Sequence, residues 1–198
     1  VSTRGTLSVR TRGGRHSLNV EVAGGPFRVG NKDDNVTFYK PEASSALYFP
    51  TFWKFVFSVS ARASYVREFS GYKLPRESAE RFLLGGVDTV RGYRFGNVGT
   101  AYGSSMMVLN AEYKFPIVQE KRKTILQGAF FADAGGAWDR GDSKNPLRHM
   151  NVEIGNQIYQ MRSSWGFGIR FKTPVFPIRL DYAFPLNPGN LNAGAFER

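Results

Sequence analysis

Between Lys54 and Val66 the chain alternates apolar and polar residues almost step by step. The odd positions are Phe55, Phe57, Val59, Ala61, Ala63 and Tyr65, and the even ones include Lys54, Ser58, Ser60, Arg62 and Ser64. Successive side chains of an extended strand point to opposite faces, so the segment predicts a strand with one oily and one polar face. The pattern recurs downstream. Met107, Leu109, Ala111, Tyr113 and Phe115 oppose Asn110, Glu112 and Lys114. Leu126, Phe130, Ala132, Ala134 and Trp138 oppose Gln127, Phe131 and Asp133. Trp165, Phe167, Ile169 and Phe171 alternate with Ser164, Gly166, Gly168, Arg170 and Lys172, and Ile178, Leu180, Tyr182 and Phe184 with Arg179, Asp181 and Ala183. Nearer the N-terminus the alternation is weaker, around 6–11, 16–22 and 35–48. Pro41 predicts a bulge or an edge in the last of these.

Seven or eight strands follow, several of them long enough to cross a bilayer when tilted. A soluble sandwich or a lipocalin-like barrel also alternates, but buries its apolar side chains inside. Here the polar faces are rich in glycine and serine and the apolar faces carry aromatics near their ends, as lipid-facing walls with interfacial girdles do. Tyr48, Phe49, Phe52 and Trp53 flank a turn in the manner of such a girdle. The expected fold is therefore all-β: an antiparallel transmembrane β-barrel, with residues 1–198 forming one partial barrel domain.

Composition changes this picture little. Mean hydropathy is −0.34, an average that hides an apolar face behind a polar one. No apolar run approaches the roughly 18 residues of a membrane-spanning helix, and Val1-Ser2-Thr3-Arg4-Gly5 has no apolar core behind it as a signal peptide would. The formal charge of +11 raises nucleic-acid binding, but the basic residues recur along strand faces rather than in a cluster, so no nucleic-acid partner is expected. With no cysteine, disulfides and thiolate metal sites are excluded. His16 and His149 lie far apart without metal-ligand spacing, so no metal or other cofactor is expected. A hydrolase reading of His149 with Ser143 and Asp142 has only the chance abundance of such residues in loops behind it.

The connections are unequal. Residues 116–123 and 173–177 read as short turns, whereas 68–103 and 139–161 form long loops, the asymmetry of bacterial outer-membrane barrels. The first long loop contains Leu83-Leu84-Gly85-Gly86, followed by Val90-Arg91-Gly92-Tyr93. Glu112 and Asp133 lie on the polar faces of their strands and are expected to point into the lumen. An arginine guanidinium holds carboxylates bidentately. Gly92 lets the backbone turn or approach the wall closely, and Tyr93 brings aromatic area with a polar tip.

The tetrapeptide in this setting resembles the VRGF/VRGY motif of the BamA-type outer-membrane protein assembly factor superfamily. Phe131-Ala132-Asp133-Ala134-Gly135 is similar to the family's F-x-D-x-G strand motif, and Ser164 to Phe171 with Pro177 to Tyr182 is similar to its penultimate strands. The resemblance covers most of residues 35–187. It implies the C-terminal part of a sixteen-stranded barrel whose long loop folds into the lumen, with Arg91 held by Asp133 and Glu112. A barrel of eight strands is filled by its own side chains and has no room for such a loop. The family pattern also ends in one more strand with a terminal aromatic, whereas this sequence passes from Asn187-Pro188-Gly189-Asn190 to Ala195-Phe196-Glu197-Arg198. A part of a larger barrel is thus expected. The implied function is non-enzymatic assembly and insertion of β-barrel proteins into the outer membrane. Its partners would be unfolded outer-membrane proteins as clients, the lipid bilayer, and accessory assembly lipoproteins reached through periplasmic modules. Alternatives are a two-partner secretion or translocation-module transporter and, outside the family, a passive porin.

Overall fold

The computed structural model describes residues 2–11, 13–24, 37–69, 78–95, 102–120, 123–138, 161–172 and 177–186. The alternating segments become long strands: β1 (Ser2–Thr11), β2 (Gly14–Ala23), β3 (Phe38–Pro50) and β4 (Val56–Tyr65). Three two-residue pieces follow, β5 (Arg67–Glu68), β6 (Phe82–Leu83) and β7 (Tyr102–Gly103). The long strands resume as β8 (Ser105–Glu120), β9 (Lys123–Trp138), β10 (Arg162–Lys172) and β11 (Pro177–Pro185). The eight long strands pair antiparallel in the order β1-β2-β3-β4-β8-β9-β10-β11, β5 extends β4's place beside β3, and β6 pairs only β7.

The two faces differ as the alternation requires. Phe57, Phe130, Trp165, Phe167, Ile169, Leu180, Tyr182 and Phe184 are exposed on one face. Ser58, Ser64, Phe131, Asp133 and Ser164 are buried on the other. A continuous exposed wall of large apolar side chains suits hydrocarbon rather than water. Aromatics gather at its ends. Phe55 packs on Phe52, Trp53, Tyr113 and Phe115, and Phe115 stacks on Phe130. Near the opposite end Trp165 stacks on Phe184.

Few residues separate β1 from β2, β3 from β4, β8 from β9 and β10 from β11 at one end of the sheet, and many separate β2 from β3, β4 from β8 and β9 from β10 at the other. Two expectations are corrected. Residues 116–120 and 123 are strand rather than turn: β8 and β9 stay paired to Glu120 and Lys123 through irregularities at Pro116/Val118 and Val118/Gln119. Pro116 and the charged residues after it read as a break, yet pairing with the partner strand outweighs that local signal. Pro41 marks neither a bulge nor an edge, since it pairs Val20 in unbroken register inside the sheet. The ladder on its other side passes from β4 to β5 here, where the Val66 N–H turns away to donate to Ser104 O at 2.8 Å. Proline, which lacks a donor, is tolerated where that ladder is interrupted. The second long loop, 139–161, lies outside the described residues apart from Met161, as do Asp142, Ser143 and His149.

Candidate functional site: the anchored loop

The site starts as a tight turn in the first long loop. Gly85, Gly86 and Gly92 all have positive φ. Gly86 N–H donates to Tyr93 O at 2.8 Å, closing the segment 86–93 into a ring of chain. Inside it, Thr89 Oγ1 accepts from Gly85 N–H and donates to Gly85 O, both at 2.8 Å. This folding pushes Val90 and Arg91 against the inner face of the sheet, where they are 0% and 4% exposed. Gly92 is needed twice over. Its φ of 86° is one that residues with a Cβ rarely adopt, and a Cβ there would sit 3.1 Å from Ala183 Cβ of β11.

The Arg91 guanidinium meets Asp133 as a fork. Nε donates to Oδ2 and Nη2 to Oδ1, each at 2.6 Å, and the Arg91 backbone N–H adds a third bond to Oδ2 at 3.1 Å. Nη1 donates to Glu112 Oε1 at 2.7 Å and to Asp181 Oδ2 at 3.3 Å. The guanidinium lies over the Phe131 ring, 3.5 Å from its centroid, so its flat face is covered as well as its edges. Burial by itself lowers the arginine's pKa, but the hydrogen bonds and charges of Asp133 and Glu112 more than reverse that, and the net shift is upward. Arg91 is therefore a permanent cation in a dry place.

Strand register explains why these groups converge. Asn110 stands opposite Asp133 on the β8–β9 ladder and Glu112 opposite Phe131, so the partners occupy adjacent inner-face positions of two neighbouring strands. Asn110 Nδ2 donates to Asp133 Oδ1 and to Thr89 O, both at 2.8 Å, orienting the carboxylate and tying down the loop backbone. Asp181 belongs to β11 and reaches the site across β10 because its partner there is Gly168. A Cβ on Gly168 would collide with the Asp181 carboxylate. Glu112 is shared further: Arg170 Nη2 donates to Oε1 at 2.7 Å and Lys114 Nζ pairs Oε2 at 2.9 Å. Arg179 Nε donates to Asp181 at 2.5 Å.

The aliphatic side chains of the loop pack beside this lattice. Leu84 and Val90 join Phe82, Ala23, Phe38, Val66, Met106, Val108 and Ala137 in one buried cluster, with Tyr93 at its margin. Gly135 of β9 leaves the room they need, since a Cβ there would lie 2.9 Å from Val90 Cγ2 and 3.1 Å from Leu84 Cδ1. Tyr93 Oη donates to Ser163 O at 2.8 Å. The loop thus touches β8, β9, β10 and β11 within one turn of chain.

Comparisons with known proteins agree with this strand wall. Residues 2–193 match the model of the Omp85 superfamily domain. The chain belongs to the Omp85 superfamily. The outer membrane protein assembly factor BamA of Neisseria meningitidis serogroup B is 25% identical over 201 residues, which cover 89% of this chain and 24% of that protein. Outer envelope protein 39, chloroplastic, of Arabidopsis thaliana is 31% identical over 148 residues, or 72% of this chain and 38% of that protein. Among solved structures, BamA from Haemophilus ducreyi lacking POTRA domains 1–3 has the same fold, with a TM-score of 0.72 and 17% identity over 93% of this chain and 38% of that one. The chain spans between about a quarter and two-fifths of the length of these relatives. As an Omp85 chain it is an antiparallel piece of an outer-membrane barrel.

Within this Omp85 barrel piece the structure brings together Gly85, Gly86, Val90, Arg91, Gly92, Tyr93, Glu112, Phe131, Asp133 and Gly135, all singled out in the sequence. Phe131 and Gly135, named there only as motif positions, have distinct jobs: one is the floor under the guanidinium, the other the gap under Leu84 and Val90. Sequence reasoning did not assign Asp181, Asn110, Lys114, Arg170 or Arg179 to the site. All five lie on polar strand faces, and that was the available signal. Among the described residues no group of histidines and carboxylates has the arrangement of a metal site.

Proposed function

We propose that the complete barrel to which this chain belongs assembles and inserts other β-barrel proteins into the outer membrane, and that its loop braces the lumen from within. The observation that supports this best is the Arg91 clamp on Asp133, Glu112 and Asp181, which ties the loop to three strands through largely buried charged bonds. Such a tie suits an insertase, which must keep its shape while strand edges elsewhere open to accept an incoming strand, an unpaired edge in lipid being costly. The chemistry is non-covalent: exposed backbone donors and acceptors template a client strand. The names of the bacterial relatives, outer membrane protein assembly factors, point the same way.

The clients on this reading are unfolded outer-membrane proteins, delivered with the help of accessory lipoproteins on the periplasmic side. The test is Arg91→Ala in the full-length protein, with assembly of a reporter barrel measured in reconstituted vesicles. Slower assembly by a barrel that still shows its heat-dependent shift in gel mobility is expected. Assembly at the wild-type rate with the loop demonstrably released would sink the proposal.

A further inference from the structure

The arginine clamp holds only the second half of the described loop. The first half, residues 78–84, has an attachment of its own on the far side of the wall. Lys40 of β3 extends its ammonium to Glu80 Oε2 at 3.2 Å and places it 5.0 Å from the centroid of the Phe82 ring. The Lys40 side chain is 13% exposed and that of Glu80 36%, so the lysine end of the pair is shielded and the carboxylate end meets water. Phe82 is itself buried, in the cluster that includes Phe38 of β3, and pairs Gly103 on the short β6–β7 ladder. The ammonium thus has a carboxylate and a ring face from two residues of the same loop segment; neither is a polar partner of Arg91, while Phe82 shares its buried cluster with Leu84 and Val90.

The loop is packed at both attachments and at Leu84, which is 1% exposed, but not over its whole underside. A cavity of about 530 Å³ lies under it, lined among others by Asn19, Glu42, Arg62, Ser64, Asp88 and Thr89. The loop is therefore an arch with one foot on β3 and the other on β8, β9 and β11.

We infer that Lys40 is a second anchoring residue of the lumen loop, independent of Arg91, and that the two feet together tie β3 to β11 across the inside of the wall. This deepens the reading of the loop as a brace and rests on it for its functional meaning, but the anchor itself is a physical claim that needs no assembly assay. A carboxylate and an aromatic face partly shielded from water hold a lysine better than an exposed ion pair does. Releasing Lys40 should then free residues 78–83 while leaving the segment 89–92 in place.

The experiment is limited trypsin digestion of the folded full-length protein in detergent, with cutting after Arg81 followed by mass spectrometry. Amide exchange at Val90 and Arg91 is followed in parallel. Lys40→Glu should raise the rate of cutting after Arg81 by about five- to tenfold, with exchange at Arg91 unchanged. Lys40→Met keeps the stem and removes only the charge, and stands in for Lys40→Glu if the latter does not fold. Cutting after Arg81 that stays within about twofold of wild type, or equal loosening at Arg91, would overturn the inference. Should the loop loosen as expected while reporter assembly stays intact, the anchor stands and only its part in the brace falls; the proposed function is tested separately by Arg91→Ala.

Discussion

A single guanidinium holds the second half of this loop in place. Arg91 has three carboxylates within reach, an aromatic ring beneath it and almost no contact with water. Removing one partner of a buried ion pair leaves the other charge uncompensated, at a cost of about 3–5 kcal/mol. Arg91→Ala strands the Asp133 carboxylate with little beyond Asn110 and should weaken loop docking on that scale, read as faster amide exchange at Val90 and Thr89. Arg91→Lys keeps the charge but lacks the planar fork that matches Asp133. It should recover only part of the loss, and exchange rates intermediate between wild type and Arg91→Ala are expected. A lysine variant indistinguishable from wild type would show that charge alone suffices.

At the scale of elements, the loop and the strands fit by what the strands leave out. Gly135 and Gly168 occupy inner-face positions where a side chain would displace Leu84 and Val90, or Asp181. Gly135→Val overpacks the seat while sparing every polar partner of Arg91, and overpacking of this kind costs about 1–3 kcal/mol. Faster exchange at Val90 with unchanged strand content by circular dichroism is the expected result. Gly168→Ala instead moves the Asp181 carboxylate and should leave Leu84 and Val90 undisturbed. Comparing the two variants separates the apolar seat from the charged clamp. The β8–β9 hairpin makes a related point: its strands continue to Glu120 and Lys123 because each pairs the other, whatever the local composition favours.

At the scale of the molecule, the two faces of the wall carry opposite demands. Phe167 stands midway along β10, is 47% exposed and belongs to the apolar face. Arginine placed there meets hydrocarbon, and a charged side chain on the lipid face costs about 2–4 kcal/mol at mid-membrane. Phe167→Arg should lower the unfolding free energy measured by denaturant titration in vesicles by that amount, whereas Phe167→Leu should change it little. An equally small effect of both would mean that this face is not in lipid.

Period-two alternation determined the strands, their two faces and the side on which Glu112 and Asp133 lie, because each of these depends only on neighbours in the chain. The weak N-terminal segments are the exception that shows the limit. β1 and β2 form ten-residue strands through their mutual ladder, a cooperative gain that no local pattern reports. The loop was legible as a motif, Val90-Arg91-Gly92-Tyr93 beside a glycine pair, and its two candidate carboxylates were legible from strand parity. Tertiary structure alone decided the rest. Asp181 and Arg91 are 90 residues apart in the chain, and they meet only because β11 lies two strands from β9 and Gly168 leaves the way open between them. Lys40 meets Glu80 for the same kind of reason. Alternation says which face a side chain takes, but only strand order, register and the fold of the loop say what stands opposite it.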